Sequence, residues 1–196
     1  ALFNGDLLLK ELVKTEIASE DDFLKAAAFP NTAVDRMVFG TDKDGRDGID
    51  IGKDHELAVE VNKLVDPEKL PIAGAEYTDN LQKFLERKLY TINCGHAWSG
   101  YIGKLMGYEI IQDYFAVPEN IEMTREVMRE VAALMVAKHG FTEKEMEDYI
   151  TFALNRFCTP GIKDTITRIS RAPIRKLAPN DRLVGPAVQC LSLIHI

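Results

Sequence analysis

Apolar residues recur at helical spacing through the middle and back of the chain, and at strand spacing only near its front. Leu81, Phe84, Leu85, Leu89 and Ile92 mark one face of a helix, opened by Asp79 as N-cap with Gln82 completing a capping box. Pro118 opens another helix, with Val127, Met128, Val131, Leu134 and Met135 on one face. Gly140 stops it, and His139 in its last turn suits the negative end of the helix dipole. Thr142 and Glu145 form a second capping box ahead of Met146, Tyr149, Ile150, Ala153, Leu154 and Phe157, with Pro160 beyond. Toward the front, Leu7 to Val13 reads as helix, residues 26–38 contain an extended apolar stretch, and Leu57 to Val61 alternates as a strand does. The acids within Thr41 to Asp50 suggest a calcium loop until they are counted. From Asp42, the sixth position is Asp47 rather than glycine and the twelfth is Lys53 rather than glutamate, so a polar turn between strands is expected. The pattern predicts two unequal parts, a small α/β front and a helical region from about Tyr77 onward.

Composition narrows the class. With 46% hydrophobic and 28% charged residues, the chain has material for one sizeable core and part of a second. No apolar run reaches the roughly 18 residues of a membrane span. Cys94, Cys158 and Cys190 are odd in number and lack metal-type spacing, which makes reduced thiols the expectation. No zinc spacing, Gly-x-Ser-x-Gly elbow or P-loop occurs, so no metal is expected. A net charge of −7 argues against a general nucleic-acid binder. Against that background, Lys163, Arg168, Arg171, Arg175, Lys176 and Arg182 face only Asp164 and Asp181 within twenty residues, a local excess of +4 that suits a phosphorylated substrate.

Candidate chemistry concentrates in Glu86-Arg-Lys-Leu-Tyr-Thr-Ile-Asn-Cys-Gly-His-Ala97. On a uniform helix, at roughly 100° per residue, Asn93 lies about 140° and His96 about 80° round from Lys88, so an amine, a carboxamide and an imidazole can line one wall of a cleft. The same residues also suit the wet face of any amphipathic helix. Gly95 is unfavourable in a helix interior by about 1 kcal/mol against alanine, which points to close approach of a ligand or another backbone.

Longer motifs decide between these readings. Tyr77-Thr-Asp-Asn-Leu81, the Glu86 to Ala97 run and Tyr101-Ile-Gly-Lys-Leu-Met-Gly107 resemble the polyol-specific long-chain dehydrogenases. So do Phe29-Pro-Asn-Thr-Ala-Val-Asp-Arg36, Arg156-Phe-Cys-Thr-Pro160, Arg171-Ala-Pro-Ile-Arg-Lys-Leu177 and Asp181-Arg-Leu183. The resemblance implies a mainly α fold: a helical, 6-phosphogluconate-dehydrogenase-like C-terminal substrate domain over 71–190, preceded by a Rossmann-type remnant over 1–70. It implies Lys88 as acid/base, Asn93 as holder of the developing alkoxide, His96 as positioning group, and Arg168 and Lys176 as substrate anchors. It further implies NAD as cofactor, a sugar phosphate as the small-molecule substrate, interconversion of D-mannitol 1-phosphate and D-fructose 6-phosphate, and a cytoplasmic location. A relative acting on free mannitol or a hexuronate, and a catalytically silent helical module, are the alternatives. The Gly-x-Gly-x-x-Gly fingerprint does not occur, so truncation at the front is expected, and a further family asparagine falls just ahead of Ala1 rather than at Asn4. Asn31 matches a motif near the cleft, although it also suits the turn after Pro30. The final hexapeptide, Leu191 to Ile196, departs from the resemblance and is expected to be a non-native tail.

Overall fold

A computed structural model describes residues 3–159 and 162–194. The chain is mainly α with one small sheet, as the apolar pattern predicts, and it divides into two compact units, 1–85 and 86–196.

The first unit begins with helices α1 (Asn4–Val13) and α2 (Glu20–Ala26), the latter started by a Ser19/Asp22 capping box. Strands β1 (Thr32–Lys43) and β2 (Arg46–Glu60) pair antiparallel, with a register shift between Arg36 and Val38. Lys43 opposes Arg46, leaving Asp44-Gly45 as a two-residue turn with φ of 58° and 72°. That is the left-handed pair a tight hairpin of this twist requires, and it accounts for the acidic segment without calcium. Strand β3 (Glu76–Thr78) lies parallel to β2, giving the order β1-β2-β3. Ala33 and Ala58 pack with Leu81 and Phe84 of helix α3 (Leu81–Arg87), so the start of the segment assigned by sequence to the helical part belongs to the sheet's core.

Helix α1 has no cap of its own, since Phe3 precedes it in the left-handed region and supplies no side-chain bond. Asn31 caps it from a distance. Its Oδ1 accepts the N–H groups of Gly5 and Asp6 at 2.9 and 3.2 Å, while its Nδ2 donates to Glu60 at 2.7 Å and to Asp6 at 3.0 Å. Asn31 therefore does more than settle a turn after Pro30: it ties α1 to the end of β2 through a buried carboxamide whose polar atoms are all satisfied.

The second unit is built on α4 (Asn93–Leu105), α5 (Ile111–Phe115), α6 (Pro118–His139) and α7 (Glu143–Phe157), with short helices α8 (Ile166–Ile169) and α9 (Pro173–Lys176) and the terminal α10 (Val184–Ile194). Pro118 stands in the first turn of α6 and Gly140 ends it at φ 69°, while the Thr142/Glu145 capping box opens α7. Met128, Met135, Met146, Ile150 and Leu154 form the centre of the core, each almost wholly buried. His139 acts through a side chain rather than the dipole alone: its Nε2 lies 2.7 Å from Glu86, which also accepts from Lys138 at 2.7 Å.

Three local expectations change. The cap of α3 is Asn80, whose Oδ1 accepts from the Lys83 N–H at 3.3 Å, one residue later than Asp79. The helix following α3 is not uniform, because Lys88–Ile92 forms a π-turn. Residues Leu191 to Ile194, the described part of the segment expected to be a non-native tail, continue α10 as helix.

Candidate functional site

The π-turn sets the geometry of the candidate segment. Its closing hydrogen bond runs from the Asn93 N–H to the Lys88 carbonyl, so the expected acid/base and oxyanion residues are the two ends of one i→i+5 bond. A π-turn inserts an extra residue into the helical register, and the 100° arithmetic does not hold across it. Tyr90, Thr91 and Ile92 point into the core, fixing the turn from behind. Lys88 and Asn93 are half-buried, and among the described residues nothing hydrogen-bonds the Asn93 carboxamide.

His96 follows in the first turn of α4. Its ring stacks on Phe157 with centroids 5.1 Å apart and planes at 22°, and its Nε2 lies 3.3 Å from Asp164 Oδ2. Arg168 grips the same carboxylate side-on, with Nε 2.7 Å from Oδ1 and Nη2 on Oδ2. Burial disfavours charge on Asp164, but the hydrogen bonds from His96 and Arg168 outweigh it and bring its pKa down to about 2. The structure thus joins two sequence candidates, His96 and Arg168, through a residue that sequence reasoning passed over. Asp164 was counted only as one of two acids in a basic segment; its spacing of four from Arg168 was the available signal.

The packing that makes this junction possible is written in small residues. Gly100 and Gly103 face Ile169 and Ile166 so closely that a methyl group at either would overlap α8, and Ser170 Oγ donates to the Gly100 carbonyl at 3.2 Å. Gly95 serves a different contact from the one expected. A Cβ there would meet Met128 Sδ at 2.6 Å, so the glycine admits a core side chain of α6 rather than a ligand or backbone. The segment entering α8 is held as well. Asp164 accepts from the Ile111 N–H at 3.0 Å and donates its own N–H to Gln112 Oε1 at 3.0 Å, and Gln112 Nε2 reaches the Phe157 carbonyl at 3.4 Å.

Lys176 is placed differently from an outward anchor. It is buried, its ammonium donates to the Ile169 carbonyl, and it sits 5.8 Å from the centre of the Tyr101 ring. Burial pushes its pKa down, with Arg182, Arg175 and Arg171 adding to the effect. The Tyr101 hydroxyl beside it is buried with no hydrogen-bond partner among the described residues. Cys94 is buried and its thiol is pushed up to about 12 by desolvation, which removes it as a nucleophile at neutral pH. Among the described residues no group of three His, Cys, Asp or Glu is arranged to hold a metal ion, and no helix is long and apolar enough to cross a membrane.

Residues 80–193, which carry all five candidate side chains, match the family model described as the mannitol dehydrogenase C-terminal domain. The chain belongs to that family. Similar relatives include the mannitol-1-phosphate 5-dehydrogenases of Geobacillus thermodenitrificans, 36% identical over 99% of this chain and 51% of that protein, and of Paenarthrobacter aurescens, 39% identical over 94% and 48%. The chain therefore spans about half the length of the curated relatives it matches. Two solved structures share the fold of this mannitol dehydrogenase family member. A D-sorbitol dehydrogenase in substrate-free form matches with a TM-score of 0.77 at 20% identity, covering 97% of this chain and 42% of that one. Pseudomonas fluorescens mannitol 2-dehydrogenase, in ternary complex with NAD and D-mannitol, matches with 0.61 at 24% identity, covering 94% and 43%.

Proposed function

We propose that this chain is the substrate-binding part of a cytoplasmic oxidoreductase that interconverts D-mannitol 1-phosphate and D-fructose 6-phosphate with NAD. In this reading the helical domain of 71–190 works with a cofactor domain of which 1–70 is the end. The observation that carries the proposal is the meeting of His96 and Arg168 on one carboxylate, in the same unit as the π-turn that joins Lys88 to Asn93. It is supported by the 36% identity to a mannitol-1-phosphate 5-dehydrogenase along the whole chain.

On polyol oxidation, a hydride leaves the carbinol carbon and the hydroxyl proton passes to Lys88 as the base. The Asn93 carboxamide donates to the oxygen as negative charge develops there, and His96 holds the reacting hydroxyl in place. NAD, when bound, supplies the hydride acceptor that no side chain can provide. Among the described residues no Gly-rich turn leads from a strand into a helix, so none of them is assigned to its pyrophosphate.

Arg168 and Lys176 are the proposed substrate anchors, Lys176 from a buried position in which its ammonium donates to the Ile169 carbonyl. A phosphorylated substrate is favoured by the pairing within the basic segment. Its two acids are committed to Arg168 and Arg182, while Arg171 and Arg175 are exposed and form no salt bridge among the described residues, Arg175 acting on Asp181 only at longer range. The test is NADH formation from mannitol 1-phosphate by the intact protein, wild type against Lys88→Ala. A wild-type rate lowered roughly 100- to 10,000-fold in the variant is expected for loss of the acid/base group. Turnover of free mannitol or a hexuronate in preference to the phosphate would reassign the substrate, and an undiminished variant would remove Lys88 from the mechanism.

A further inference from the structure

Asp164 lies deeper than either group it holds: it is 9% exposed, against 30% for the His96 side chain and 54% for that of Arg168. Its backbone is fixed on both sides, by the Ile111 N–H on its carbonyl and the Gln112 amide oxygen on its N–H, and Thr165 bridges to Ile110. With a pKa of about 2 the carboxylate is ionised throughout the working range, and an ionised carboxylate only accepts hydrogen bonds. The nitrogen 3.3 Å from it, Nε2 of His96, must then carry a proton. The stack on Phe157 holds the ring in its plane, and flipping it within that plane would turn a carbon toward Oδ2 in place of the nitrogen.

We infer that Asp164 is the positioning residue of this site: it fixes His96 as the Nε2–H tautomer, leaving Nδ1 as the acceptor for a substrate hydroxyl, and holds Arg168 side-on with its Nη1 edge presented to the sugar. A neutral His96 in the opposite tautomer would turn a lone pair toward the ionised carboxylate, a pairing that makes no hydrogen bond. Arg168 released from Asp164 would lose the orientation of its planar fork. One carboxylate therefore sets the direction of two recognition groups that are far apart in sequence. The kinetic part of this inference rests on the proposed dehydrogenase activity, whereas the tautomer does not.

Two measurements on the intact protein test it. Nitrogen-15 NMR of the imidazoles, with His96 assigned by the signal lost in His96→Ala and the pH raised until its ring is neutral, should show the remaining proton on Nε2 and none on Nδ1 in the wild type. A protonated Nδ1 with a bare Nε2 would overturn the inference, with no variant fold involved. In kinetics, Asp164→Asn should lower kcat/KM for mannitol 1-phosphate roughly 10- to 100-fold, the scale of a misplaced contact. The same change in a His96→Ala background should cost less, the remainder being the lost orientation of Arg168. Fully additive losses would assign Asp164 a structural role only. If the wild type turns over no polyol phosphate, the dehydrogenase reading fails, and the tautomer measurement still decides the role of Asp164.

Discussion

A carboxylate buried under a histidine and an arginine makes the protein sensitive to acid in a defined way. The pKa of Asp164 in the folded chain, about 2, lies below its ordinary value of 3.8, so its ionised form favours the folded state. That contribution is complete above about pH 5 and is lost as pH falls from about 4 toward 2; its size is about 2 kcal/mol. Unfolding free energies measured by urea titration should therefore decline over that window in the wild type, and Asp164→Asn should show a shallower decline there alongside a lower plateau near neutrality. An equally steep acid limb in the variant would mean that other carboxylates govern it. At this scale the sequence was partly readable. Lys88, Asn93 and His96 were visible as a motif, and Cys94 as an inert neighbour. Asp164 was not, because nothing in its local surroundings distinguishes a surface i,i+4 ion pair with Arg168 from a buried anchor; only folding brings His96 to it. Lys176 was legible as a chemical type but not in its burial beneath Tyr101 and the Ile169 carbonyl.

Among the helices, the decisive feature is how closely α4 approaches its neighbours. Gly95→Ala gains helix propensity of about 1 kcal/mol, yet its methyl would collide with Met128, whose side chain is wholly buried and would have to shift. Overpacking of this kind is destabilising by about 1–3 kcal/mol, so the net expectation is a lower melting temperature, measured by calorimetry. A stabilised Gly95→Ala would show that Met128 repacks freely. Most helices were legible because apolar spacing and caps are local signals: Thr142/Glu145, Pro118 and Gly140 all perform as their positions predict. The π-turn was not, since one inserted residue leaves Leu89 and Ile92 apolar and buried-looking under either geometry. Nor was the shift of the α3 cap to Asn80, where two adjacent acceptors, Asp79 and Asn80, are equally suitable in sequence. The hairpin turn at Asp44-Gly45 was recognisable as a turn, while its two-residue register depended on pairing of the strands.

Across the whole molecule, charge is distributed against its average. Under the proposed function, this chain's net −7 repels a sugar phosphate at long range, and productive encounter then depends on the local field of Arg171, Arg175 and their neighbours. Raising ionic strength from low to roughly 0.5 M shortens the screening length to a few ångströms, and KM for mannitol 1-phosphate is expected to rise several-fold. KM for free mannitol, if it is turned over at all, should hardly change. Equal salt sensitivity for both would detach the basic segment from phosphate recognition.

The cap of α1 has a bearing on the order of assembly. A helix whose start signal is local can form as soon as its own residues exist. Helix α1 has only the weak local contact of the Gly5 N–H with Asn4 Oδ1; the group that closes its first turn, the Asn31 carboxamide, comes 26 residues after Gly5 and is itself held by Glu60. The ten residues of α1 are too few to persist alone in water. Its ordering must therefore wait until the end of β2 has been made and docked, so α1 precedes β2 in synthesis but follows it in becoming structured.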